Sequence, residues 1–103
     1  MHIISRRKLA DFFAANAAAQ KPLEAWFKIV SQASWSNFVE LRQTFPSADL
    51  VGRLTVFNLG GNKFRLIAKV TYRVGPTNGT VFLRSILTHA EYDKGGWKHD
   101  PWL

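Results

Sequence analysis

Three features of the sequence predict an α+β fold. Apolar residues recur at helical spacing up to about residue 45 and at strand spacing after residue 53. Two glycine-containing turns, Gly60-Gly61-Asn62 and Gly75 to Gly79, separate consecutive strand patterns. Helices first, strands second and short turns between strands describe a small, twisted, antiparallel-rich sheet accompanied by N-terminal helices. A chain of 103 residues with 47% apolar content makes one domain, residues 1–103, with a real core.

The elements follow in order. His2 to Ile4 reads as a brief strand. Ser5 is placed to cap a helix through Ala19, with Leu9, Phe12, Phe13 and Ala17 on its apolar face. Lys21-Pro22 marks a break, and Pro22 suits the first position of a second helix to about Ala33. Leu23, Trp26, Phe27 and Val30 form the stripe of that helix, so the first two segments read as an antiparallel helix pair. Asn37 and Glu40 have capping-box spacing and open a third helix to about Gln43, ended by Pro46. Ser47 to Gly52 reads as a polar connection.

Leu54 to Asn58 is the next strand, and Lys63 to Val74 is the clearest one in the chain. Strict alternation puts Phe64, Leu66, Ala68, Val70, Tyr72 and Val74 on one face. It puts Lys63, Arg65, Lys69 and Arg73 on the other, roughly 7 to 14 Å apart by the strand rise. In Thr80 to Leu87 the same rule groups Phe82, Arg84 and Ile86. Arg84 is then a lone charge in an apolar strand. Its head either reaches water at an edge or meets an anion across the sheet, and the second reading is favoured because an anion stabilises a partly buried guanidinium. Thr88 and Glu91 form another capping box, with His89 at the first helical position and Tyr92 one turn on. A helix start also offers free amides that attract phosphate. Gly95-Gly96 stops the helix, and a short tail with two tryptophans follows, placed to pack or to meet a partner.

Charge narrows the function. The formal net charge is +7, and from Val51 to Ala90 there is no Asp or Glu, while Arg53, Lys63, Arg65, Lys69, Arg73 and Arg84 all fall inside. A surface with one sign of charge is built to meet something negative, a nucleic acid or an acidic protein. The absence of cysteine excludes disulfides, thiolate metal sites and cysteine nucleophiles, and fits a cytoplasmic setting. The N-terminus lacks signal-peptide order, and no apolar run is long enough to span a bilayer. His2, His89 and His99 are scattered, no phosphate-loop or dinucleotide motif is present, and no metal or cofactor is expected.

Arg65, Lys69, Arg84, His89 and Tyr92 remain as the candidate catalytic set, with Lys63, Arg73 and Arg53 as RNA-binding cations. These types suit metal-independent RNA cleavage. Such a reaction needs a base for the 2′-hydroxyl, an acid for the leaving 5′-oxygen and cations for a phosphorane-like transition state. A histidine titrates near neutrality, a tyrosine stacks on bases or donates a proton, and arginine grips phosphate with two parallel bonds. Each residue alone is weak support: a lone histidine at a helix start is more often structural, and a basic strand face by itself implies binding only.

The blocks Val56-Phe57-Asn58-Leu59-Gly60-Gly61-Asn62-Lys63-Phe64-Arg65-Leu66-Ile67, Val81-Phe82-Leu83-Arg84 and Leu87-Thr88-His89-Ala90-Glu91-Tyr92-Asp93 resemble the HigB family of bacterial toxins, within the broader RelE/ParE group. The likeness extends more loosely over His2-Ile3-Ile4 and the helical half. It implies a compact sheet with the N-terminal helices packed on one face and a type II toxin that cleaves mRNA, typically on the ribosome. A cognate helix-turn-helix antitoxin is the implied partner, and Arg65, Lys69, Arg84, His89 and Tyr92 fall where the activity is sought. An acidic antitoxin segment suits the Lys63/Arg65/Lys69 face. Two alternatives stand beside this reading: a non-enzymatic topoisomerase poison like the ParE relatives, and a plain single-strand RNA-binding module. The tail after Asp93 matches no pattern.

Overall fold

The computed structural model describes residues 1–103. Its five strands are β1 (His2–Ile4), β2 (Asp49–Val51), β3 (Leu54–Leu59), β4 (Phe64–Thr71) and β5 (Thr80–Thr88). They form one sheet in the order β1-β5-β4-β3-β2. Only β1 runs parallel to its neighbour; the other pairs are antiparallel. The hairpin between β3 and β4 turns through Gly60, Gly61 and Asn62, all at positive φ, a conformation that glycine and asparagine reach cheaply.

Four α-helices accompany the sheet: α1 (Arg7–Ala15), α2 (Gln20–Gln32), α3 (Phe38–Thr44) and α4 (His89–Lys94). The first three supply Leu9, Leu23, Trp26, Val30 and Leu41 to the main core. These meet Phe57, Leu59, Phe64, Leu66, Ala68, Val70, Val81 and Leu83 from the sheet. Trp26 meets Phe57 edge to face at 5.5 Å. The α+β architecture is therefore as the periodicity predicts, and the N-terminal helices lie on one face as the family resemblance implies.

Several local expectations are corrected. Ser5 sits at φ 69 and does not cap α1, whose start has no side-chain cap. That helix ends at Ala15, before Ala19: the Asn16 N–H makes the last helical bond, to the Phe12 carbonyl at 2.9 Å, and the Asn16 side-chain amide donates to the same carbonyl at 3.2 Å. A short side chain that bonds its own backbone competes with helix continuation. A single 3-10 turn, Ala17–Ala19, then leads into α2, so Pro22 is its third residue, still where a missing N–H does no harm. Asn37 does cap α3, accepting from Glu40 N at 2.9 Å, but the Glu40 carboxylate accepts from Ser36 N and not from Asn37. The polar connection before β3 contains an unforeseen edge strand, β2, only three residues long and mostly exposed.

The correction that matters most lies in β5. Ile67 pairs with Ser85 and Ala68 with Leu83, so Arg84 is an extra residue opposite no partner. This β-bulge breaks strict alternation. Ile86 joins the main core with Val81 and Leu83, while Leu87 packs on the opposite face. That second face is not bare. Leu54, Val56 and Ile67 are covered there by Trp97, from a 3-10 turn over Gly96–His99, with Tyr92 and Leu103 beside it. The C-terminal segment thus forms a third layer over the basic side of the sheet. No helix is long and apolar enough to cross a membrane.

Candidate active site

The turn after β3 and the start of α4 converge on one guanidinium. Arg65 belongs to β4, faces the C-terminal layer and is only 6% exposed. Its head makes four hydrogen bonds: to the carbonyls of Asn62 and Phe64 at 3.1 and 3.2 Å, to Asn62 Oδ1 at 2.6 Å and to His89 Nδ1 at 3.1 Å. The Tyr92 ring lies 5.2 Å from the guanidinium carbon. Every one of these partners is formally neutral, and no carboxylate pairs with Arg65. Buried charges are normally paired, because an isolated one forfeits hydration.

Local structure fixes both companions. Thr88 Oγ1 accepts from Glu91 N at 3.2 Å and the Glu91 carboxylate accepts from Thr88 N at 2.9 Å, closing the capping box that aims His89. The N–H of His89 donates to the Lys63 carbonyl at 2.9 Å, tying α4 to the β3–β4 turn. Two first-turn amides are therefore already taken, which corrects the expectation of a free phosphate-binding helix start. Tyr92 stacks on Trp97 at 5.1 Å and 13°, and Trp97 Nε1 donates to its carbonyl. A guanidinium can only donate, so His89 Nδ1 accepts and carries no proton in this arrangement. Nε2 lies 3.3 Å from Asp93 Oδ2, both side chains being half exposed or more.

A second group occupies the other end of the same face. Arg84, aimed by the bulge, donates from Nε and Nη2 to both Asp100 oxygens at 2.9 and 3.0 Å. Trp102 lies 3.9 Å beneath its guanidinium and meets Phe82 edge to face at 5.5 Å. Hydrogen bonds from Arg84 hold the Asp100 carboxyl below the usual carboxylate range, and Asp100 in turn raises the Arg84 guanidinium further. Lys69 and Arg53 line an adjoining recess of about 320 Å³ with Thr71, Phe82, Pro101 and Trp102.

The candidate residues thus divide. His89 and Tyr92 both meet Arg65, with Lys63 in the adjoining turn. Lys69, Arg53 and Arg84 form the second group. Arg73 belongs to neither: β4 ends at Thr71, and Arg73 turns to Ser36 Oγ at 2.6 Å and the Ser34 carbonyl, in the connection between α2 and α3. The predicted row of four cations on one strand face is therefore broken, both at Arg73 and by the Trp97 cover over Ile67. The anion contact favoured for Arg84 is present, but the anion is the chain's own Asp100. Sequence reasoning missed Asn62 and Asp100 as site residues, and it marked Trp97 and Trp102 only as tail residues placed to pack or to meet a partner; an Asp between two tryptophans in a basic chain was the one available signal.

A model of the HigB toxin family, the RelE-like toxic component of a toxin–antitoxin system, matches residues 19–95. The mRNA interferase HigB of Escherichia coli O6:H1 is 29% identical over 97 residues, covering 91% of this chain and 90% of that protein. The mRNA interferase toxin HigB of Escherichia coli K12 and the mRNA interferase HigB of Shigella flexneri are each 28% identical over 96 residues, covering 90% of this chain and 88% of theirs. The Arg65–His89–Tyr92 cluster falls inside the matched range; Trp97, Asp100 and Trp102 lie beyond it. With three quarters of its length matched, this chain belongs to the HigB family of RelE-like toxins of toxin–antitoxin systems.

Proposed function

We propose that this toxin is an endoribonuclease that cleaves mRNA by internal transfer, using its own side chains and no metal ion. The observation that carries the proposal is the buried Arg65 guanidinium, held by four neutral acceptors and no carboxylate. Such a group has charge left over for a phosphate. The kinship with mRNA interferases gives that phosphate its class. In the reaction the 2′-oxygen attacks phosphorus, the bond to the 5′-oxygen breaks, and one proton leaves the 2′-hydroxyl while another reaches the departing oxygen. The products are a 2′,3′-cyclic phosphate and a 5′-hydroxyl. Arg65 stabilises the charge that gathers on the non-bridging oxygens. His89 exchanges a proton with one of the two reacting oxygens. A phosphate that draws Arg65 toward itself frees the Nδ1 lone pair for that step. Tyr92, already against Arg65 and Trp97, holds the nucleotide beside the scissile bond. Lys63, Lys69 and Arg53 hold the strand on either side.

Cleavage on the ribosome in the cytoplasm is part of this reading. So is neutralisation by a helix-turn-helix antitoxin whose acidic segment covers the Arg65 and Lys69 side of the sheet. Brief expression followed by mapping of transcript ends tests the function. New 5′-hydroxyl ends inside coding regions, and cleavage by purified toxin that survives EDTA, are expected. Growth arrest with intact transcripts would instead favour poisoning of a topoisomerase. Adding or withholding ribosomes in the purified assay decides whether the ribosome is required.

A further inference from the structure

We propose that the recess lined by Arg53, Lys69, Thr71, Phe82, Pro101 and Trp102 is a nucleobase-stacking subsite, which seats one unpaired nucleotide of the RNA on the C-terminal indole. The inference rests on the RNA reading above and adds to it a binding position outside the Arg65–His89–Tyr92 cluster. Four observations meet here. The recess has a volume of about 320 Å³, at the small end of ligand sites, which suits a single nucleotide and not a duplex. Two cations, Arg53 and Lys69, line it, and neither has a carboxylate partner. Trp102 is 38% exposed, unusual for the largest aromatic side chain, yet it is fixed: Arg84 lies over it at 3.9 Å and Phe82 meets its edge at 5.5 Å. The segment that carries it is anchored by two further hydrogen bonds, one of which needs a glycine beside it. Trp102 N donates to Asp100 Oδ1 at 2.8 Å, Arg53 N donates to the Leu103 carbonyl at 2.9 Å, and Gly52, at φ +59, leaves room for that carbonyl where a Cβ would lie 2.6 Å away.

A rigid, half-exposed aromatic beside unpaired cations is how single-stranded nucleic acid is bound without regard to sequence: bases stack and cations follow the backbone. A duplex keeps its bases stacked on one another and offers no free face. Arg84 has a part in this without losing its partner. Its contact with the indole persists while Asp100 holds the guanidinium in place.

The test uses the full-length protein and an uncleavable probe, a short 2′-deoxy single strand, together with an abasic version of the same length and charge. Wild type is expected to bind the base-bearing strand more tightly than the abasic one. Trp102→Ala is expected to weaken the base-bearing strand about tenfold and to leave the abasic strand unchanged, while Trp102→Phe restores most of the loss. Lys69→Gln and Arg53→Gln are expected to weaken both strands alike. Equal binding of the two strands by wild type, or a Trp102→Ala loss that is the same for both, overturns the subsite. Because neither probe can be cut, these outcomes are independent of whether the toxin cleaves RNA, which the transcript ends report separately.

Discussion

Two arginines on the basic side of one sheet are treated in opposite ways. Arg84 has both oxygens of Asp100 and a tryptophan beneath it, so its charge is balanced within the chain. Arg65 is more deeply buried and meets only carbonyls, an amide oxygen and an imidazole nitrogen. The first arrangement holds a structure together. The second withholds a charge from the structure and leaves it for a ligand. Two cations from the same acid-free stretch therefore have different fates, set by whether the C-terminal segment brings a carboxylate to them.

Breaking each centre in turn sharpens the contrast, and the largest effect belongs to the unpaired one. Arg65→Met is expected to lower RNA cleavage by about 100-fold to 1,000-fold, the usual cost of one transition-state charge contact. His89→Ala follows, at about 100-fold, with little change in affinity for an uncleavable strand, since its role lies in proton transfer. A His89→Ala protein that cuts RNA at the wild-type rate removes His89 from the reaction. At the paired centre the effect falls on stability. Asp100→Asn keeps the shape and removes the charge, and is expected to cost about 1–2 kcal/mol in chemical unfolding. It should also loosen the Trp102 environment, seen in tryptophan fluorescence.

The smallest effect is on acid stability. The Asp100 pKa is lowered on folding, chiefly by hydrogen bonds from Arg84. A carboxyl of that kind contributes its stability above the ordinary, unfolded-state value near 4 and loses it as pH falls through the lowered folded value. The tail is therefore expected to stay docked down to about pH 4 and to detach below it. In Asp100→Asn that acid transition should vanish. A transition near neutral pH would point to another group.

Much of this was written in the sequence in plain periodicities. The helical stripe through Trp26 and Val30, the β4 alternation and the Gly60-Gly61-Asn62 turn all depend on neighbours within a few residues. So does the Thr88–Glu91 capping box, which is why the His89–Tyr92 pair was visible. The Arg65–His89 contact joins residues 24 apart, yet it follows from pairing Phe64 with Thr88 across a hairpin. What stayed hidden depends on non-local geometry. A bulge at Arg84 has no composition of its own; it appears only when β5 must match β4, and a one-residue slip moved Ile86 to the other face. The acid-free window was real, but the counterion of Arg84 lies outside it, at Asp100. Arg73 followed the strand pattern two residues past the point where β4 ends. Nor does a nine-residue tail without periodicity announce that it will lie across the sheet.

The central claim is that Arg65 holds its charge in reserve for a phosphate, and thermal melting of Arg65→Met, alone and with a 2′-deoxy single strand, tests it most directly. Arg65→Met removes the donor of four hydrogen bonds and leaves buried acceptors unpaired, so the variant is expected to lose stability whatever the fate of the charge. The free variant is expected to melt below wild type, and each protein is compared with itself: the strand raises the melting temperature of wild type and markedly less that of Arg65→Met. A variant that the strand stabilises as strongly as it does wild type would contradict the claim.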